Sequence, residues 1–296
     1  MPVVEVLDST MYYEDEGDGT PLVFLHGNPT SSHLWRRVLA ALEGPGRRLA
    51  PDLIGMGASG KPNIPYRFAY HARYLDAWFS ALDLDGVVLV GHDWGGALAF
   101  DWARRHPSAV RGVAFLETIV RPVTWSDFGG AARQLFESFR TPGKGEQIVL
   151  NGNAFIEQAL PNTMISKLAA ADWDAYRRPY PTAETRRPLL QWPRELPIDG
   201  EPANVVERVE AYNAWLASTP HVPKLLFAFE PGPGTMIRPE LVDWCRKNIA
   251  ALEVAQCGRA GHHAPEDQPD TIAAALTAWC DRHALLAGGA TPRPVR

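Results

Sequence analysis

Short apolar runs rich in β-branched residues recur along the chain at 21–25 (Pro-Leu-Val-Phe-Leu), 87–90 (Val-Val-Leu-Val), 110–116 and 224–229 (Lys-Leu-Leu-Phe-Ala-Phe). Runs of this length without polar alternation read as strands buried on both faces. The stretches 3–8 and 10–15 alternate instead, as the two arms of a hairpin do. Shorter strands are predicted at 48–53 and 252–256, and helices at 33–42, 70–82, 94–106, 239–249 and 271–282. The strand–helix alternation holds as far as Glu117 and then stops. From 121 to 212 no buried-strand run appears, and helix-like segments at 128–139, 153–160, 164–171 and 204–216 are separated by proline-rich joints. The pattern predicts a mostly parallel central sheet flanked by helices on both faces. After its sixth strand a helical cap is inserted over the sheet's carboxyl edge. The expected division is a core of 1–120 and 213–285, a cap of 121–212, and a disordered Gly/Pro/Arg-rich tail over 286–296.

Composition narrows the field without changing that picture. The 296 residues carry a net charge of −5, with no basic footprint for nucleic acid or an anionic membrane. No apolar run approaches the roughly 18 residues that span a bilayer, and the N-terminus shows no basic region followed by an apolar one. Cys245, Cys257 and Cys280 are odd in number and lack CxxC spacing, so reduced, partly buried thiols in a cytoplasmic protein are expected. Ten tryptophans exceed what a core of this size requires, and some are expected to line an apolar pocket.

The candidate chemistry sits where the 87–90 run meets the next helix, in Gly91-His92-Asp93-Trp94-Gly95. With serine at its centre this glycine-flanked turn is the nucleophile elbow of the α/β-hydrolases. Here the presented group is the carboxylate of Asp93, which could also merely cap the helix starting at Trp94. His26-Gly27-Asn28-Pro29 follows the 21–25 strand, where that fold places an oxyanion-hole loop. The base in this fold comes last in the chain, and two candidates stand there, His262 and His263. The acid that orients it is either Glu117, closing the apolar strand 110–116, or Glu230, closing 224–229. An aspartate nucleophile suits attack on an sp³ carbon, giving an alkyl ester that the histidine then hydrolyses through water. With histidine acting only in that second half, the leaving group must depart without a proton, as halide does. The indole N–H of Trp94 and the amide of Asn28 are donors placed for such an ion.

These residues closely resemble the haloalkane dehalogenases of the α/β-hydrolase fold. The motifs that carry the resemblance are His26-Gly27-Asn28-Pro29-Thr30-Ser31-Ser32, Asp52-Leu53-Ile54-Gly55-Met56-Gly57, Gly91-His92-Asp93-Trp94-Gly95-Gly96 and Phe115-Leu116-Glu117. Phe155-Ile156-Glu157-Gln158-Ala159-Leu160-Pro161, Pro193-Arg194-Glu195-Leu196-Pro197-Ile198 and Gly200-Glu201-Pro202-Ala203-Asn204 add to them in the cap. The resemblance implies Asp93 as nucleophile, His262 as base, at a family-like distance from Glu266-Asp267, Glu117 as acid after the sixth strand, and Asn28 with Trp94 as halide pair. It implies Leu135, Phe136, Phe155 and Met236 as pocket residues. It further implies no cofactor or metal, water as co-substrate, a small apolar halogenated substrate, and neither nucleic acid nor membrane as partner, with a homodimer an open expectation. Two departures touch the pocket: His263, where the family usually has an aromatic or aliphatic residue, and the long run Pro231-Gly232-Pro233-Gly234-Thr235. Three rival readings share the scaffold. An epoxide hydrolase would need tyrosine proton donors, for which Tyr176, Tyr180 and Tyr212 are candidates. The others are a luciferase-like monooxygenase and a non-catalytic small-molecule receptor.

Overall fold

Eight strands form one sheet in the computed structural model, which describes residues 2–287. They are β1 (Val3–Val6), β2 (Ser9–Glu16), β3 (Pro21–Leu25), β4 (Arg47–Pro51), β5 (Val87–Asp93), β6 (Val110–Thr118), β7 (Lys224–Pro231) and β8 (Leu252–Ala260). Their order is β1-β2-β4-β3-β5-β6-β7-β8. β2 runs antiparallel to both β1 and β4, and every pairing from β4 to β8 is parallel. The mostly parallel sheet expected from the alternation is therefore present, in the α/β-hydrolase arrangement that the elbow motif implied.

Ten helices accompany the sheet among the described residues: α1 (Arg36–Ala41), α2 (Phe68–Ala81), α3 (Trp94–Arg105), α4 (Gly130–Arg140), α5 (Ala170–Arg177), α6 (Arg187–Glu195), α7 (Ala203–Ser218), α8 (Pro239–Asn248), α9 (Ala264–Asp267) and α10 (Pro269–Arg282). The central strands read as continuous apolar runs because successive side chains feed two different cores. Leu22, Phe24, Val88 and Val90 pack with residues of α1 and α10. Val23, Leu25 and Leu89 pack on the other face with α2, α3 and α7. That second core continues without a break into the segment between β6 and β7 through Phe139, Val149, Ile156, Leu189 and Trp192.

Three expectations for the chain need correction. Residues 164–169 are not helical, because the N–H groups of Ile165 and Ser166 donate to the Asp267 carboxylate instead of entering a helix. A helix follows at α5, and α6 was not foreseen, because its prolines read as breakers. Pro188 lies in the first turn of α6, where a missing N–H costs nothing. The expected boundary at 212 falls inside α7, which is one continuous helix bound to α3 through Arg208 and Asp101. Of the expected tail, Ala287 is held by the Arg111 guanidinium, which donates to its carbonyl, and 288–296 lie outside the described residues. The three cysteines are fully buried, which pushes their thiols up to about 11 to 12. No helix of the described residues is long and apolar enough to cross a membrane.

Candidate active site

The elbow forms where β5 gives way to α3. A Cβ on Gly95 would stand 2.1 Å from the Leu25 carbonyl oxygen, so only glycine lets α3 approach β3 this closely. Asp93 between them has φ 51° and ψ −127°, a conformation a non-glycine residue keeps only when its surroundings impose it. Part of that imposition is the Thr118 hydroxyl, which donates to the Asp93 carbonyl at 2.6 Å. The carboxylate makes no cap bond to α3, so the helix-capping alternative does not describe it. Instead Asp93 Oδ2 accepts the backbone N–H of Asn28 at 2.8 Å.

The loop carrying Asn28 is anchored by His26. The imidazole takes the Leu53 N–H on Nε2 at 2.9 Å, and its Nδ1 lies 3.0 Å from the Gly27 carbonyl. Burial pulls its pKa down to about 4, so it is a neutral tie at any ordinary pH. At Gly27 a Cβ would lie 2.4 Å from Asp93 Oδ2, so the loop reaches the carboxylate only as glycine.

His262 stands between two carboxylates, with Nε2 3.8 Å from Asp93 Oδ1 and Nδ1 3.5 Å from Glu117 Oε2. Burial alone would lower its pKa, but the Glu117 and Asp93 carboxylates outweigh burial and hold it above its ordinary value. Burial raises the Asp93 carboxyl above its usual range; the charge on His262 and the N–H groups of Asn28 and Trp94 pull it back in part. The His262 backbone is held at both ends, its N–H donating to the Pro233 carbonyl at 2.9 Å and its carbonyl accepting from His92 Nε2 at 2.8 Å. The long 231–235 run thus cradles the histidine.

Glu117 owes its direction to a bulge. His92 pairs with Leu116 and Asp93 with Thr118, which leaves Glu117 as an extra residue in β6. Its φ is 45°, and such a bulge re-aims one side chain across the regular pleat. The carboxylate then accepts the N–H groups of Met236 at 2.6 Å and Ile237 at 3.2 Å. Glu230, the alternative acid, is exposed beyond the point where β7 slips register against β8, and the structure does not bring it to His262.

Asn28 and Trp94 are both buried at the elbow. One amide N–H of Asn28 donates to the Leu189 carbonyl at 3.3 Å, leaving its second N–H uncommitted. The Trp94 ring stacks on Trp192, with centroids 4.7 Å apart and planes at 22°, and lies against Phe68. Of the expected pocket residues, Phe136 and Phe155 both pack against Phe139 at 5.9 Å and 4.8 Å, and Met236 adjoins Glu117. Leu135 is 43% exposed and belongs to the outer side of α4, because the neighbouring Phe136 and Phe139 take the inner one. None of the three tyrosines offers a hydroxyl to Asp93. Tyr176 donates to Glu266 at 2.5 Å, Tyr212 to the Ile119 carbonyl at 2.5 Å, and buried Tyr180 sits against Asp52 and Gly57. No cluster of three or more His, Cys, Asp or Glu able to hold a metal ion occurs among the described residues. The sequence reading missed His92, Thr118, Trp192 and the Met236 and Ile237 N–H groups. Only His92, adjacent to the elbow acid, carried any local signal.

A mostly parallel eight-stranded sheet with an aspartate at the β5–α3 elbow, and a histidine after the last strand beside it, has the α/β-hydrolase fold. A family model described as "alpha/beta hydrolase fold" matches residues 20–158. Within that fold the chain belongs to the haloalkane dehalogenase family. It is 48% identical to a haloalkane dehalogenase of Sphingobium indicum over 94% of each chain. It is 44% identical to one of Bradyrhizobium diazoefficiens over 93% of this chain and 92% of that one. The crystal structure of haloalkane dehalogenase DbeA from Bradyrhizobium elkani superposes with a TM-score of 0.92 at 44% identity, covering 96% of this chain and 98% of that one.

Proposed function

We propose that this chain hydrolyses the carbon–halogen bond of a small apolar haloalkane to an alcohol, halide and a proton. The observation that carries this reading is a carboxylate at the elbow, with one oxygen taken by the Asn28 N–H and the other turned toward His262. In this reading Asp93 Oδ1 attacks the carbon, the halide leaves with the bonding pair, and an alkyl ester of Asp93 results. His262 then takes a proton from water, and the hydroxide adds to Asp93 Cγ. Oδ2 becomes an oxyanion between the N–H groups of Asn28 and Trp94. Collapse breaks the Cγ–Oδ1 bond, the departing alkoxide takes the proton of the newly added hydroxyl to leave as alcohol, and His262 releases to solvent the proton it took from water. Glu117 serves as the acid that orients His262 and stabilises its charged form. The second amide N–H of Asn28 and the Trp94 indole N–H receive the halide, where weakly hydrated donors in an apolar wall suit a large soft anion. The segment between β6 and α7 acts as the cap over this pocket, with Phe136, Phe155 and Met236 as the pocket's apolar wall. Water is the co-substrate, and no step draws on a cofactor.

The test is incubation with 1-bromobutane, 1,2-dibromoethane and an epoxide while bromide and acid are followed. The expected result is one bromide and one proton per turnover. His262→Phe is expected to release one equivalent of bromide and stall as alkyl-Asp93, visible as a mass increment on the elbow peptide. Diol from the epoxide with no bromide from either haloalkane would overturn the reading.

A further inference from the structure

The reaction above makes no use of His263, yet this side chain is held as tightly as the base it follows. It is 2% exposed. Its Nδ1 lies 2.8 Å from Thr163 Oγ1, and its backbone N–H donates to the Thr163 carbonyl at 3.0 Å. The ring meets His262 edge to face, with centroids 4.9 Å apart and planes at 81°. On the far side His92 lies 4.8 Å from His262 and 5.5 Å from His263. Thr163 ends the short turn Leu160–Thr163 that directly follows the π-helical turn Phe155–Ala159, so it belongs to the same stretch as Phe155. Asp267 reinforces the junction by accepting N–H groups from Gly261 on one side and from Ile165 and Ser166 on the other. Residues 160–166 and 261–267 are therefore bolted together, with the imidazole of His263 as the side-chain bolt nearest the base.

Filling this space needs only an aromatic ring. Reaching Thr163 Oγ1 needs a ring nitrogen, and His263 supplies one. Burial and the neighbouring imidazoles hold its pKa well below the ordinary value, against the pull of the Asn28 and Thr163 backbones, so His263 stays a neutral hydrogen-bonding group beside the base. We propose that His263, through its hydrogen bond with Thr163, is a positioning residue that fixes the His262 ring between Asp93 and Glu117 for activation of the hydrolytic water. The proposal rests on the haloalkane reading given above. It concerns the second half of that reaction alone, because attack by Asp93 on carbon does not use His262.

The experiment compares His263→Phe, Thr163→Val, Thr163→Ser and the His263→Phe/Thr163→Val double variant on 1-bromobutane. The first-turnover bromide burst and the steady-state rate are measured separately, together with thermal melting. Losing one neutral hydrogen bond at a positioned base is expected to slow steady-state hydrolysis about tenfold. The burst rate should stay within about twofold of the parent, because the alkylation step makes no use of the bond that these variants remove. The double variant should be no slower than either single one, as for two halves of one contact, and Thr163→Ser should restore the parent rate. His263→Phe hydrolysing at the parental rate, burst and steady state falling together, or single effects that add would each overturn the proposal. Should His263→Phe fail to fold, Thr163→Val and Thr163→Ser decide alone. A parent protein that releases no bromide overturns the haloalkane reading and this role with it. An active parent with an indifferent Thr163→Val overturns this role only.

Discussion

Glu117→Gln is the substitution that separates the two halves of the reaction most cleanly. In the alkyl-enzyme the Asp93 charge is gone, since the carboxylate has become an ester. Glu117, 3.5 Å from Nδ1, is then the carboxylate left beside His262. Forming an imidazolium at that distance is favoured by about 5 kcal/mol at an effective dielectric near 20. That figure is a ceiling, because the amide dipole of glutamine returns part of it. A catalytic triad that loses its acid charge while keeping its shape falls by about 10⁴ in kcat. The hydrolytic step of Glu117→Gln is therefore expected to drop by about 10² to 10⁴. The halide burst should survive, since Asp93 attack makes no new positive charge on His262.

The same substitution has two further signatures. The carboxylate stabilises the protonated form of His262 and so raises its pKa. Water activation needs the neutral form, so the acid limb of kcat, set in the alkyl-enzyme where Glu117 is the carboxylate left beside His262, should move to lower pH in the variant. Glutamine also turns an amide NH₂ toward one of the N–H groups of Met236 and Ile237, and an orphaned buried donor costs about 1–3 kcal/mol, read as a lower melting temperature. Rapid-quench bromide release with mass analysis of the elbow peptide, a pH series and thermal melting measure all three. A variant that keeps more than a tenth of parental kcat, or loses its burst together with its turnover, would refute the assignment of Glu117.

Trp94→Phe keeps an aromatic ring beside Trp192 but removes the indole N–H; it is expected to weaken bromide binding about tenfold, as the loss of one donor to an anion would, measured by halide titration of the remaining tryptophan fluorescence. Unchanged bromide affinity would remove Trp94 from the halide site. Glu195→Ala strips the start of α2 of its acceptor, because buried Glu195 takes the Phe68 N–H at 2.9 Å and α2 has no side-chain cap of its own. The expected loss is about 1–2 kcal/mol, seen in denaturant unfolding, and an unshifted midpoint would show that the bond across to α6 adds nothing. Lys224 is fully buried against Thr219 and Trp215, and burial lowers its pKa to about 8. A base with a depressed folded pKa costs stability wherever it is charged, here below about pH 8, and the cost fades as pH rises from there toward the unfolded value. Lys224→Met should be as stable as the parent or more so at pH 7, by up to about 3 kcal/mol, and should flatten the rise in stability between pH 8 and 10; a strongly destabilised variant would refute this.

Local pattern made the elbow, the loop after β3 and the paired histidines readable, because each depends on residues adjacent in the chain and on a strand end that hydrophobicity marks. Where distant groups decide the backbone, the pattern misled. Residues 164–169 have helical composition, yet Asp267, about a hundred positions away, accepts their N–H groups and draws the backbone out of the helix. Pro188 and Pro193 looked like breaks, though one occupies a first turn and the other lies near the end of α6. Leu135 and Phe136 are neighbours in sequence, so rotation about α4 alone puts one outside and the other in.

The choice between Glu117 and Glu230 shows most sharply what periodicity leaves open. Both close apolar strands of the same sheet, and both strands slip register at that point. In β6 the slip inserts Glu117 itself as the extra residue with positive φ, one step from the Thr118 hydroxyl that clamps Asp93. In β7 the chain continues past Glu230 into extended pairing with Arg259 and Ala260, and the side chain stays exposed. Asp93 and Glu117, the two carboxylates flanking His262, both carry strained backbone of about 1–3 kcal/mol per residue. Thr118 restrains the first of them through the residue adjoining the second. A one-residue slip in β6 would release the strain at Glu117, and it would also move that side chain away from Met236 and His262. The bulge is the structural condition for having two carboxylates on one histidine.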